Sequence, residues 1–355
     1  WYSLLPIGGW GGSRSAEVGV VANEGVTGPP TSAARLVEEG ESAFKTGRWA
    51  DAADAFRQAQ AIQAVHGDVL ARWARALLNQ SRVDAAVERA QQAVEVAPDN
   101  AYARTVLAVA LDWSGQVEPA EAHARRAIEL DARSAAAHAA LAEVLTDEYR
   151  LREAEEALAT ALRLGPSDPE VHRVQGNLHE MRANYGAAVV AYGRAIELAP
   201  THSYLYVSLG HALRVQRRHD EALAAFARAA ELAPTDARAE GGRGMVYAAR
   251  EEYRPAVAHL RRAIELDPAY PTAYAQLAWV HYARREYEQA TPLFERAVEL
   301  DHDRGRVAQY RHALGWIMLS ARRTAEAREQ FSRSLELDPG LEGARDGLLA
   351  VQGRR

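Results

Sequence analysis

Small side chains recur every 34 residues along this chain, and no other feature restricts its fold so strongly. Alanine stands at 52, 86, 120, 154, 188, 222, 256 and 290, and again at Ala327 after a step of 37. A second series trails the first by seven: Ala59, Ala93, Ala127, Ala161, Ala195, Ala229, Ala263, Ala297 and then Ser334. A third, twelve residues ahead of the first, is always small: Gly40, Ala74, Ala108, Ala142, Gly176, Gly210, Gly244, Ala278 and Gly315. General alanine richness would not keep three registers in phase through nine repeats. The chain is an array of one structural unit rather than a set of unrelated domains.

The texture from Ala33 onward is helical, with apolar residues at helical spacing and almost no β-branched runs. Interaxial distance depends on the side chains at the contact, so two helices joined by a short turn approach closely where one side chain is a hydrogen or a methyl. Large residues fill the rest: Phe56, Leu158, Tyr192, Phe226, Leu260, Phe294 and Phe331 each follow the first alanine series by four. In repeats two and three, Ala90 and Ala124 take that place. Pro98, Pro166, Pro200, Pro234, Pro268 and Pro339 close second helices, because proline disfavours helical geometry in the residue before it. Asp99, Ser167, Thr201 and Thr235 are read as caps of the helices that follow.

These registers resemble the tetratricopeptide repeat, a 34-residue helix–turn–helix unit. The resemblance implies an all-α, right-handed superhelical solenoid of about nine repeats, starting at 33, 67, 101, 135, 169, 203, 237, 271 and 308 and covering residues 33–341. Residues 342–355 read as a capping helix and tail, and 1–32 as an extended glycine- and proline-rich leader. Gly305-Arg306-Val307 interrupts the register and is expected to loop out.

Composition narrows the function classes. A formal charge of −6 argues against nucleic acid, whose phosphates demand a basic footprint. Zero cysteines remove disulfides and thiol chemistry. No apolar run approaches the ~20 residues of a membrane-spanning helix. The leader Trp1-Tyr2-Ser3-Leu4-Leu5-Pro6-Ile7-Gly8-Gly9-Trp10 reads either as the outer end of a membrane anchor or as a docking peptide. Together with the non-methionine start, this leans toward an exported or membrane-tethered bacterial protein.

Catalytic patterns are missing. There is no phosphate loop ending in Gly-Lys-Ser/Thr, no Gly-x-Ser-x-Gly elbow and no His-Glu-x-x-His among the twelve histidines. The expectation is a non-enzyme without cofactor or metal. By the family resemblance, first helices line a concave surface that receives a peptide or protein. Its early lining is Glu41, Arg75, Val109 and Glu143, with Asp112 and Trp113 nearby. The richer lining comes later: Arg173, Asn177, Tyr204, His211 and Arg214, then Arg238, Trp279, Tyr282 and Trp316. Aromatics mixed with arginine and amide groups have the composition of binding hot spots. Trp279 and Trp316 carry a second reading, as core between neighbouring first helices. Arg173, Asn177 and Arg238 match part of the carboxylate clamp found in some family members, but Ser208 and Gly242 depart from it. The partner is therefore expected to be a protein or peptide with an acidic or C-terminal carboxylate feature, held by a scaffold within a larger assembly. Two readings stay open beside it: a self-assembling subunit, and a regulatory arm of an enzyme whose catalytic domain lies outside this chain.

Overall fold

The computed structural model describes residues 32–80, 82–301 and 303–353. Apart from Ser32, the leader and both readings of it lie outside the described residues. Those residues form nineteen α-helices and fall into two compact units, up to Arg218 and from His219.

In the first unit, first helices α1 (Ala33–Lys45), α3 (Gly67–Leu78), α5 (Ala101–Trp113), α7 (Ala135–Asp147), α9 (Pro169–Met181) and α11 (Ser203–Val215) alternate with second helices. The second helices are α2 (Trp49–Ile62), α4 (Val83–Val96), α6 (Val117–Leu130), α8 (Leu151–Leu164) and α10 (Tyr185–Leu198). The second unit runs α12 (His219–Leu232), α13 (Ala237–Ala249), α14 (Tyr253–Leu266), α15 (Pro271–Ala283), α16 (Tyr287–Leu300), α17 (Arg304–Ser320), α18 (Thr324–Leu337) and α19 (Glu342–Gln352). Helices of 11 to 17 residues are marginal alone in water, so each depends on its neighbours. Within the first unit α1, α3, α5, α7 and α9 each pack on the second helix of their own repeat and on one another in series.

The small-residue register marks the tightest contact in each repeat. A Cβ at Gly40 would sit 2.5 Å from the Phe56 ring, one at Gly176 2.3 Å from the Tyr192 ring, and one at Gly315 2.5 Å from the Phe331 ring. Sizes compensate across the pair. Glycine faces an aromatic ring in repeats one, five and nine, Ala142 accompanies Leu158, and in repeats two and three both residues are alanine. Ala278 beside Phe294 departs from that trend.

Each second helix that the sequence closes with proline ends two residues before it, as at Val96 and Pro98. The caps, however, fall one residue later than expected. Asn100, Asp168 and Asp236 accept from Ala103, Glu170 and Arg238 N–H, while the residue after each proline belongs to the turn. The expected loop at Gly305-Arg306-Val307 is also corrected. Asp303 caps α17, and the helix runs unbroken from Arg304, giving 17 residues. Arg306 is held there by Asp301 at 2.8 Å, so the insertion lengthens a helix rather than leaving it.

A periodic feature of the backbone was not anticipated. The turn between paired helices passes through left-handed φ at Gly47 and Gly115, but also at Tyr149, Ala183, Arg217, Glu251, Arg285 and Arg322. The next residue's N–H reaches back to a carbonyl five residues earlier, as from Asn184 to His179 at 2.8 Å. That bond closes the first helix and holds a conformation that non-glycine residues adopt at a cost of roughly 1–2 kcal/mol. Three pairs of adjacent arginines, Arg217-Arg218, Arg284-Arg285 and Arg322-Arg323, fall at this turn.

The helix contact is directly testable. Gly176→Ala should cost about 1–3 kcal/mol by overpacking against the fully buried Tyr192. Adding Tyr192→Leu, which reproduces the Ala142–Leu158 pairing, should recover part of that loss. Urea midpoints of the two variants and the parent check both statements, and strict additivity would refute direct contact.

Candidate functional site

Five of the expected groove residues, Arg75, Glu143, Arg173, Asn177 and Tyr204, meet in the first unit, bound to partners from their own chain. The Arg173 guanidinium on α9 donates from Nη1 and Nη2 to Glu143 Oε1 and Oε2 on α7, both at 2.7 Å. Its Nε reaches Glu170 Oε2 at 2.9 Å. Arg75 on α3 approaches the same carboxylate oxygen from the other side at 2.6 Å. The Tyr204 hydroxyl on α11 donates to Glu170 Oε1. Around Glu143, Trp113 Nε1–H donates at 3.2 Å and Asn177 Nδ2 at 3.4 Å, and the Tyr192 hydroxyl fixes Asn177 through its Oδ1 at 2.8 Å. Arg173 also lies over the Trp113 ring, 5.6 Å from its centre.

This network closes the lining surface of repeats two to six upon itself. Arg173 and Glu143 are both 5% exposed. Burial alone opposes ionisation of Glu170, yet Arg75 and Arg173 outweigh it and hold its carboxyl well below the usual range. Nearby, the turn of repeat one rests on the loop before α11. Trp49 packs edge-on against His202 at 4.9 Å, and a Cβ at Gly47 would fall 2.7 Å from Thr201 Oγ1. A cavity of about 230 Å³ remains inside the closure.

Beside the network Asp112 and Asp147 crowd against Glu143, a carboxyl cluster of which the sequence marks Asp112 and Glu143 but not Asp147. Asp112 is 2% exposed, and neither carboxyl oxygen has a hydrogen-bond partner. Burial, then the charges of Asp147 and Glu143, push its pKa well above the ordinary aspartate value. Burial and Glu143 likewise raise Asp147 to about 7, with Arg173 opposing.

The remaining expected residues do not join this group. His211 and Arg214 lie two turns and more beyond Tyr204 on α11, His211 buried and Arg214 half-buried. In the second unit Arg238 is buried, with its Nε 2.7 Å from Asp236, the cap of its own helix. Trp279 and Tyr282 on α15 are half-buried in a cluster with Phe294, the tryptophan ring 4.9 Å and the tyrosine ring 6.4 Å from it. Trp316 on α17 is half-buried 5.5 Å from Phe331 and donates from Nε1 to His312 Nε2 at 2.8 Å. Each tryptophan thus packs on the second helix of its own repeat and keeps part of its surface open. Glu170, Trp49 and Asn79 were missed by the sequence reading, for no repeat register marks contacts between distant repeats.

Comparison with known proteins agrees with this geometry. Tetratricopeptide repeat models match residues 71–135, 114–178, 203–236 and 270–339, and a TPR repeat model matches 244–284. The chain belongs to the tetratricopeptide repeat family, and its repeats are of a kind that serves protein–protein interaction. No curated protein matches it. Among solved structures, a chain of the APC/C hetero-tetramer Cut9-Hcn1 is similar with a TM-score of 0.67 at 17% identity, over 84% of this chain. The match spans 59% of that chain's own length. PilF of Pseudomonas aeruginosa is similar with a TM-score of 0.50 at 18% identity, over 62% of this chain and 97% of that one. At these identities the likeness speaks for the fold.

Two outcomes test the network. Arg173→Ala should destabilise the protein by about 3–5 kcal/mol, because it strands the buried Glu143 carboxylate and takes from Glu170 one of its two guanidinium partners. A loss under 1 kcal/mol in urea unfolding would show that those charges are solvated. The second test uses pH. A carboxyl whose folded pKa is raised favours the folded state while protonated, so its contribution is complete below about 4 and fades as pH climbs through about 7. Asp147→Asn should therefore flatten the decline in melting temperature between pH 4 and 8, and an unchanged slope would refute the assignment.

Proposed function

We propose that the chain is a non-catalytic scaffold that holds a protein partner within a larger assembly, and that the aromatic surface of α15 and α17 makes the principal contact. The supporting observation is the placement of Trp279, Tyr282 and Trp316. All three stand on first helices of successive repeats and are half-open, and Phe294 and Phe331 brace the two tryptophan rings from behind. Rings braced in this way lose little rotamer freedom on binding, which is what makes aromatic anchors effective. Capture of a carboxylate through Arg173 and Arg238 is the weaker reading, because both guanidinium groups already hold carboxylates of their own chain.

The experiment is mass spectrometry of what co-purifies with the native protein, followed by affinity measurement with the identified partner. Trp279→Ala with Trp316→Ala should weaken that affinity at least about tenfold while far-UV circular dichroism stays helical. Unchanged affinity in a folded double variant would overturn the assignment of this face. Arg173→Ala is unsuited to the purpose, since lost stability would mimic lost binding.

A further inference from the structure

Two residues on the wall of the cavity in the first unit carry buried polar atoms without partners. Asn79, 4% exposed at the end of α3, presents an unpaired Oδ1, and Trp49 at the start of α2 an unpaired Nε1–H. Both residues line the cavity. An orphaned acceptor and an orphaned donor each carry a desolvation penalty that a guest or water must relieve. The rest of the wall is of two kinds. Val106, Val109, Ala139 and Ala140 provide an apolar floor, and Phe44 and Tyr102 add rings. Arg75, Arg173, Glu143 and Glu170 also line it, but these charges are spent on one another. Asp168, the one further acidic group on the wall, leaves no positive excess. The site therefore lacks a counter-ion for an anionic guest, a C-terminal carboxylate included. About 230 Å³ is below the range of pockets for drug-sized molecules and suits a single residue.

We propose that this cavity receives one neutral apolar residue from within a partner's polypeptide chain, its peptide C=O accepting from Trp49 and its peptide N–H donating to Asn79. A peptide unit carries the required acceptor and donor side by side on an apolar body, with no charge to neutralise. The inference assumes a protein partner, as the scaffold reading does, but uses residues separate from the Trp279 and Trp316 surface.

The test uses the full chain with its seven tryptophan indoles labelled with nitrogen-15, titrated with N-acetyl-L-leucinamide and separately with acetamide. Trp49→Phe identifies the Trp49 indole signal. That signal should move saturably with the leucine probe, and at least about tenfold more weakly with acetamide, which offers the peptide unit without a side chain. Ala140→Leu, which fills the floor, should abolish the response without lowering the melting temperature, and Asn79→Ala should weaken it. No movement of the Trp49 signal at saturating probe would mean a hydrated cavity only and would overturn the proposal. An equal response to acetamide would overturn it too. If Ala140→Leu fails to fold, Val109→Leu serves the same purpose, and retained binding in a folded, filled variant counts against the site. Trp279→Ala with Trp316→Ala should leave the Trp49 response intact, so failure of the partner-capture experiment and failure of this one are separable.

Discussion

The contact between a small residue on the first helix and a large one on the second governs the architecture. Where Gly176 lies against Tyr192, the absent side chain admits the ring, and the ring's hydroxyl then fixes Asn177. One van der Waals fit thus sets both the spacing of the helix pair and the orientation of a polar side chain at the site. The same fit, repeated with different partners, lets short helices that would be marginal alone form a continuous core. Because size is balanced within each pair, a change at one member is felt at the other.

Charge plays a different part from packing. Arg75, Glu170, Arg173 and Glu143 form an alternating chain of ion pairs drawn from α3, α9 and α7. Buried ion pairs are poor sources of net stability, since desolvation offsets most of the attraction. They are exacting about geometry, because a misplaced member strands its neighbours. In the first unit this chain sets which first helices face one another across the lining. Asp112 and Asp147, crowded against Glu143, are the corresponding strain, since burial and that charge push the pKa of each upward.

The helices were readable from the residues because each depends on neighbours within about one repeat. The alanine and glycine registers located the pairs, and the prolines located the ends of second helices. Errors arose where local cues were ambiguous. Asp99 and Asn100 are both good caps, and only the turn geometry selects Asn100. Gly305 suggested a break, whereas Asp303 and Asp301 anchor Arg306 and extend the helix. The lining was legible in residue type but not in availability. Arg173, Asn177 and Tyr204 were expected to await a guest, yet Glu143 and Glu170 already hold them, Asn177 and Tyr204 at a separation of 34 residues; residue type alone does not disclose which acid turns toward which base. Trp49 and Asn79 were invisible for a related reason, since their unpaired atoms appear only once the wall around them is assembled.

Gly47 against Thr201 alters what a linear array can do. In an open stack the outermost repeat has a neighbour on one side only, so it is the first to fray, and unfolding proceeds inward from it. Here the turn of repeat one is held by a segment four repeats further along, and Trp49 upon His202 reinforces the hold. Repeat one thus gains a neighbour beyond the one that follows it in sequence, so the two segments are coupled in opening. Such a closure trades the stepwise melting of a ladder for the all-or-none behaviour of a ring, and folding waits for its two distant ends to meet.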